Sequence, residues 1–270
     1  MSDPVLLSNS GPACQGRVES PRTGQDIVVV SGLPRSGTSM AMAMLAAGGL
    51  PVLDDGSRPA DPHNPGGYYE YAPVRASRSD TSWVARAPGK AVKVVAALLP
   101  WLPPDQRYRV IFMVRDVLET AVSQRRMLEG GPAEATAEDR RFARLLAAHL
   151  REVSAWLRSA GHMDTLWVSH RAVLRDPLRQ AARMAAYAGG PLDADRMAAA
   201  VRPGWWRARR YIRENFLQCC NKDLFLDTIP RTDLAVRSAD AGTRDVPASA
   251  ADSPGSPSRR VNRIRLLRHE

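Results

Sequence analysis

Cysteine is almost missing from this chain, which has three: Cys14, Cys219 and Cys220. Two adjacent residues and one distant one provide neither a disulfide framework nor the paired spacing of a metal site, so a reducing compartment is the expectation. Long apolar runs are also missing. No stretch approaches the roughly 20 residues that cross a bilayer, and Met1 to Gln25 lack the basic start and apolar run of a secretory signal. A soluble, cytoplasmic protein is therefore expected. No internal repeat is present. Acidic residues are in deficit, 28 against 38 basic ones, for a formal charge of +10. That balance suits anionic small molecules or polyanions, although an Arg-rich surface also serves solubility alone.

What is present is enough for one α/β domain with tails: 270 residues, 44% of them hydrophobic. Residues 1–25 are rich in Ser, Gly and Pro and read as a flexible leader. The packed part is expected over 26–210, followed by an extension, 211–270, that is largely disordered from about 232. Within the packed part, strands are expected at 27–30, 91–95, 109–114 and 165–168. Helices are expected at 38–47, 72–85, 117–128, 137–159, 171–187 and 193–201. The long helix carries Phe142, Leu145, Leu146, His149, Leu150, Val153 and Trp156 at the spacing of one face. Alternation of strands and helices predicts a mainly parallel sheet in a three-layer α/β/α arrangement. The segment 51–67 is dense in Gly, Pro and Asp and reads as a long loop of functional length.

The chain is organised around residues 27–40. Ile27-Val28-Val29-Val30 runs into Ser31-Gly32-Leu33-Pro34-Arg35-Ser36-Gly37-Thr38-Ser39, and that into an Ala/Met/Leu helix. Strand, tight loop and helix N-terminus together form a place for an anion, because unpaired N–H groups and the helix dipole point at it. The spacing Gly32 to Gly37 is close to that of a phosphate-binding loop, but the Lys expected after Gly37 is Thr38, and a cation stands inside the loop as Arg35. A second stretch adds to this. Arg115 follows the apolar strand 109–114, at the carboxyl end where parallel sheets place ligands. Ser123 comes eight residues later. An Arg fork and a hydroxyl suit a phosphate monoester. Each also has a plain structural alternative: a surface Arg at a helix start, and a helix hydroxyl bonded to its own backbone.

With these residues the chain resembles the sulfotransferases that use 3′-phosphoadenosine 5′-phosphosulfate (PAPS). Their loop signature, Pro-Lys/Arg-Ser-Gly-Thr-Thr/Ser, is matched by Pro34-Arg35-Ser36-Gly37-Thr38-Ser39, and their strand-Arg-Ser signature by Arg115 and Ser123. The resemblance is nearest to bacterial sulfotransferase-like proteins with an Asn-Pro-x-Gly-Tyr-Tyr/Phe-Glu segment, here Asn64 to Glu70, and it covers about 27–210. It implies a P-loop fold in which residues 34–39 hold the 5′-phosphosulfate and Arg115 and Ser123 hold the 3′-phosphate. PAPS is then the co-substrate, no metal is expected, and the acceptor is a small molecule or glycan. In many members a His two residues after a strand Lys is the base. Lys93 matches the Lys, but the second position is Val95. The base is then Glu70 first and His63 second. Glu70 can equally pair with a structural Arg, and His63 can simply be exposed. Lys93 contacts the leaving oxygen or snorkels from its strand end, and Arg207, Arg209 and Arg210 close over the nucleotide or form a surface cluster. No specific nucleic-acid partner is expected. The basic segment 259–268 can form a short amphipathic helix touching an anionic surface, or a solvated tail. Two other functions fit parts of the pattern: a P-loop small-molecule kinase or NTPase, and a non-enzymatic anion- or nucleotide-binding module.

Overall fold

The structure is a computed structural model that describes residues 26–204, apart from 133 and 203. The leader, the three cysteines, Arg207, Arg209, Arg210 and the C-terminal extension lie outside the described residues. Five strands, β1 (Ile27–Gly32), β2 (Val52–Leu53), β3 (Ala91–Lys93), β4 (Tyr108–Val114) and β5 (Met163–Ser169), form one sheet in the order β2-β3-β1-β4-β5. Every pairing is parallel. From central β1 the chain runs to β2 and β3 on one side, then crosses to β4 and β5 on the other. The crevice above the carboxyl ends at that reversal is where open α/β sheets bind ligands.

The strands read as unbroken apolar runs because both of their faces are covered. Val29, Val110, Phe112 and Trp167 face one core, closed by Leu150, Val153 and Leu157 of α3 (Ala137–Ser159) and by Trp83 and Leu99. Val28, Val30, Ile111 and Met113 face the other, closed by Met44 and Leu45 of α1 (Thr38–Ala47), Met184 of α5 (Pro177–Ala188) and Met197 of α6 (Ala194–Ala199). Alternate residues thus anchor helices on opposite faces, and the three-layer α/β/α arrangement follows.

Three local expectations are corrected. The single helix expected over 72–85 is two short 3₁₀ turns, Ala72–Ala76 and Ser82–Arg86. Ser77 Oγ donates to Val74 O and accepts from Trp83 Nε1, while Asp80 Oδ1 accepts from Ser82 N. Such side-chain bonds compete with a continuous helix. The helix expected over 171–187 is split into α4 (His170–Arg175) and α5. Pro177 disfavours helical geometry at Asp176, whose side chain instead caps α5 by accepting from Arg179 N. The inward stripe of α3 is also rotated from the expected one. Leu146, Leu150 and Val153 are buried, but with Ala143, Ala147, Ser154 and Leu157, whereas Leu145 is 56% exposed. Small residues let this face lie close to the sheet. The two-residue β2, in the segment read as loop, was not expected. Among the described residues, no helix is long and apolar enough to cross a membrane.

Candidate functional site

The loop between β1 and α1 is built so that its backbone faces outward. Gly32 has φ 148°, and a Cβ there would stand 2.5 Å from Ser36 Oγ and 2.6 Å from Met113 O. Gly37, the N-cap of α1, has φ 104° and a left-handed conformation. The five other α-helices of the described residues each have a side-chain cap, from Asp116, Thr136, Ser169, Asp176 and Asp193. The start of α1 has none, and no acidic residue in its first turn. Its free N–H groups suit an external anion. Ser31 and Ser36 add buried hydroxyls that have no partner among the described residues. Gly32→Ala is expected to lower stability by about 2 kcal/mol through backbone strain and to displace the loop. An unchanged midpoint in urea denaturation would show that the loop tolerates a side chain there.

Arg35 itself has φ 69°, a strained value for a residue with a side chain. Its Nε donates to Ser123 Oγ at 3.2 Å and a terminal nitrogen to His63 O at 3.0 Å. Burial, together with the like charge of Arg115, lowers its pKa. Arg115 extends from the tip of β4, donating to Arg35 O at 3.0 Å and pairing with Glu119 at 3.1 Å. Ser123 is on α2 (Val117–Leu128), whose first turn is capped by Asp116 through Leu118 N and Glu119 N. The β4–α2 corner therefore holds both residues against the loop, although Arg35 and Ser123 are 88 positions apart.

The opposite wall is the segment 61–70. Asp61 Oδ1 accepts from His63 N and Asn64 N, and Asp61 Oδ2 accepts from Tyr68 Oη at 2.7 Å, so the segment folds upon itself. Asn64 Nδ2 donates to Ser39 Oγ at 3.1 Å and to Gly67 O at 2.6 Å. The guanidinium of Arg58 stacks 3.5 Å above the Tyr68 ring. Glu70 pairs with Lys93 at 3.2 Å, Arg75 at 2.9 Å and Arg58 at 3.3 Å. Burial raises its pKa, but Lys93, Arg75 and Arg58 more than offset that, and the net shift is downward. Lys93, at the end of β3, also donates to Tyr68 O. Burial lowers its pKa, against the opposing pull of Glu70.

These walls enclose a cleft of about 440 Å³. Of the residues singled out in the sequence, Pro34, Arg35, Gly37, Thr38, Ser39, His63, Glu70, Lys93, Arg115 and Ser123 all line it. Ser36 does not: it is 1% exposed, and its N–H bonds Leu33 O. The His63 ring is exposed, and its carbonyl, not the ring, meets Arg35. The strands beside β1 thus end in cations, Lys93 and Arg115. Among the described residues, no group of three or more His, Cys, Asp or Glu is placed to hold a metal.

Lining residues that carry no site role in the sequence reading include Arg58 and His170. Arg58 lies in a run of turn-formers and carries no local signal. His170 follows β5 directly, and the strand-end rule that pointed to Arg115 would have found it. It is 8% exposed, and its ring edge stands 2.6 Å from where a Cβ on Gly37 would be. Burial and the charge of Arg115 push it down to about 3. Because the unfolded chain takes up this proton near pH 6.5 and the folded one does not until about 3, His170 favours folding above pH 6.5. That contribution is lost as the pH falls from 6.5 toward 3. His170→Gln is expected to flatten stability against pH in that window by up to about 1.4 kcal/mol per pH unit. Urea midpoints of the two proteins at pH 6.5 and 5 check this, and parallel curves would refute it.

No family model matches the chain, nor does any curated protein sequence. Several solved structures resemble it, two sulfotransferases among them. Mouse sulfotransferase SULT7A1 complexed with PAP superposes at a TM-score of 0.47 and 16% identity, over 78% of this chain and 86% of that one. The sulfotransferase domain from the Synechococcus PCC 7002 olefin synthase superposes at a TM-score of 0.38 and 15% identity, over 83% of this chain and 94% of that one.

Proposed function

We propose that the cleft binds PAPS and passes its sulfuryl group to a hydroxyl or amine of a second substrate, a small molecule or glycan. The observation that carries this reading is the convergence of two distant segments, the loop 34–39 and the β4–α2 corner with Arg115 and Ser123, with Arg35 and Ser123 in direct contact. The residues present fit such a donor. The uncapped start of α1 and Arg35 suit the 5′-phosphosulfate, and Arg115 with Ser123 suits the 3′-phosphate. The strands flanking β1 end in Lys93 and Arg115, where a magnesium-dependent kinase would want a carboxylate.

The donor supplies an S–O–P linkage whose sulfur accepts the attacking atom while its bond to the phosphate oxygen breaks. The loop amides and Arg35 are preorganised donors for the charge that develops on that oxygen. Ionised Glu70 takes the acceptor's proton, and Lys93 holds Glu70 in place. The 61–70 wall shapes the acceptor side, and holding both substrates in register supplies part of the rate.

Calorimetric titration with adenosine 3′,5′-bisphosphate tests the reading. The protein is expected to bind it, and Arg35→Ala to weaken binding about tenfold or more, the loss of one charge-assisted contact. Tight magnesium-ATP binding without bisphosphate binding would overturn the proposal in favour of a nucleotide triphosphatase or kinase.

A further inference from the structure

The link between Asn64 and the phosphate loop has a consequence for ligand binding. The orientation of the Asn64 amide is set by Gly67 O, which can only accept, so nitrogen must face it at 2.6 Å. The same nitrogen has a second hydrogen, and Ser39 Oγ receives it at 3.1 Å, across 25 positions of sequence. A serine hydroxyl has one proton to give and lone pairs to fill. With Asn64 filling a lone pair, the proton of Ser39 is left to donate. At present it points to Tyr68 O over 3.4 Å, a long and weak contact. Tyr68 O has a stronger donor in Lys93. Turning the Ser39 proton away therefore leaves no orphaned carbonyl, and a charged oxygen is the better acceptor.

We propose that Asn64 is a positioning residue for the donor substrate. By occupying the oxygen of Ser39, it commits that hydroxyl to donate to an incoming phosphate oxygen at the start of α1. The inference rests on the anion-site reading above and adds to it a coupling between the 61–70 wall and the phosphate loop. Both hydrogens of the Asn64 amide are already given, to Gly67 O and Ser39 Oγ, so Asn64 acts through that hydroxyl.

A double-mutant cycle tests it, with adenosine 3′,5′-bisphosphate titrated into wild type, Asn64→Ala, Ser39→Ala and the double variant. Each single variant is expected to bind about tenfold more weakly. The double variant is expected to bind no more weakly than either single one, because Asn64 acts only through the hydroxyl. Ser39→Thr, which restores a hydroxyl, should recover both the affinity and its dependence on Asn64. If Asn64→Ala does not fold, Asn64→Leu, of the same size and without the donor, takes its place in the cycle. Losses that multiply to about a hundredfold would overturn the proposal, since Asn64 would then merely hold the wall together. So would an Asn64 variant that binds like wild type. Failure of the wild-type protein to bind the bisphosphate overturns the underlying reading instead, and appears before any variant is compared.

Discussion

Arg115→Ala is expected to weaken adenosine 3′,5′-bisphosphate binding about a hundredfold, the loss of two charge-assisted contacts to phosphate, and to destabilise the fold as well. The side chains of Arg115 and Glu119 are 9% and 8% exposed and 3.1 Å apart. Truncating Arg115 takes a buried charge partner from Glu119, which lowers stability. Arg35 O loses its Arg115 donor in the same step. The two effects separate by experiment. Glu119→Gln in the Arg115→Ala background removes the charge that lost this guanidinium, so part of the lost melting temperature should return while bisphosphate affinity stays low. Arg115→Lys keeps a charge but not the planar fork, and should fall between wild type and Ala in affinity. Unchanged affinity in Arg115→Ala would remove this residue from the binding site.

Glu70→Gln is expected to lower kcat for PAPS-dependent transfer about a hundredfold, in the range of a lost general base, while bisphosphate affinity changes little. The split matters because Glu70 is also the hub of three ion pairs, with Lys93, Arg75 and Arg58. A hub with no chemical role would affect stability and acceptor KM rather than kcat. The pH profile adds a second discriminator. Those cations hold the Glu70 carboxyl below its ordinary range, so it stays ionised well into acid. Activity should therefore be flat from neutral pH to about 5. A decline centred near 6.5, where histidine titrates, would assign the base role to a His and withdraw it from Glu70.

Much of the fold could be read along the chain. The bounds of α1, α2 and α3 agree with the expected ones, and the structure shows local caps and stops at them: Asp116 before α2, the Thr136–Asp139 box before α3, and Gly48-Gly49 after α1. Failures occurred where side chains compete with the backbone. Ser77 and Asp80 divide one apparent helix into 3₁₀ turns, and Asp176-Pro177 divides another. Strand β2 is only two residues long and exists because β3 lies beside it, so nothing local announces it.

The candidate site divides in the same way. The sequence by itself determined the loop between β1 and α1, since its glycines and the apolar strand and helix around them are neighbours in the chain. It also placed Arg115 at a strand end, whereas Lys93, mid-strand in the expected 91–95, comes to the rim because β3 stops there. Only the tertiary structure decided what these groups meet. Arg35 reaches Ser123, Asn64 reaches Ser39, Glu70 is enclosed by three cations, and His170 is buried against Gly37. Such contacts depend on strand order and on how a long loop folds back over the sheet. Hydrogen bonds and ion pairs act over a few ångströms, and the chain folding alone brings residues tens of positions apart within that reach.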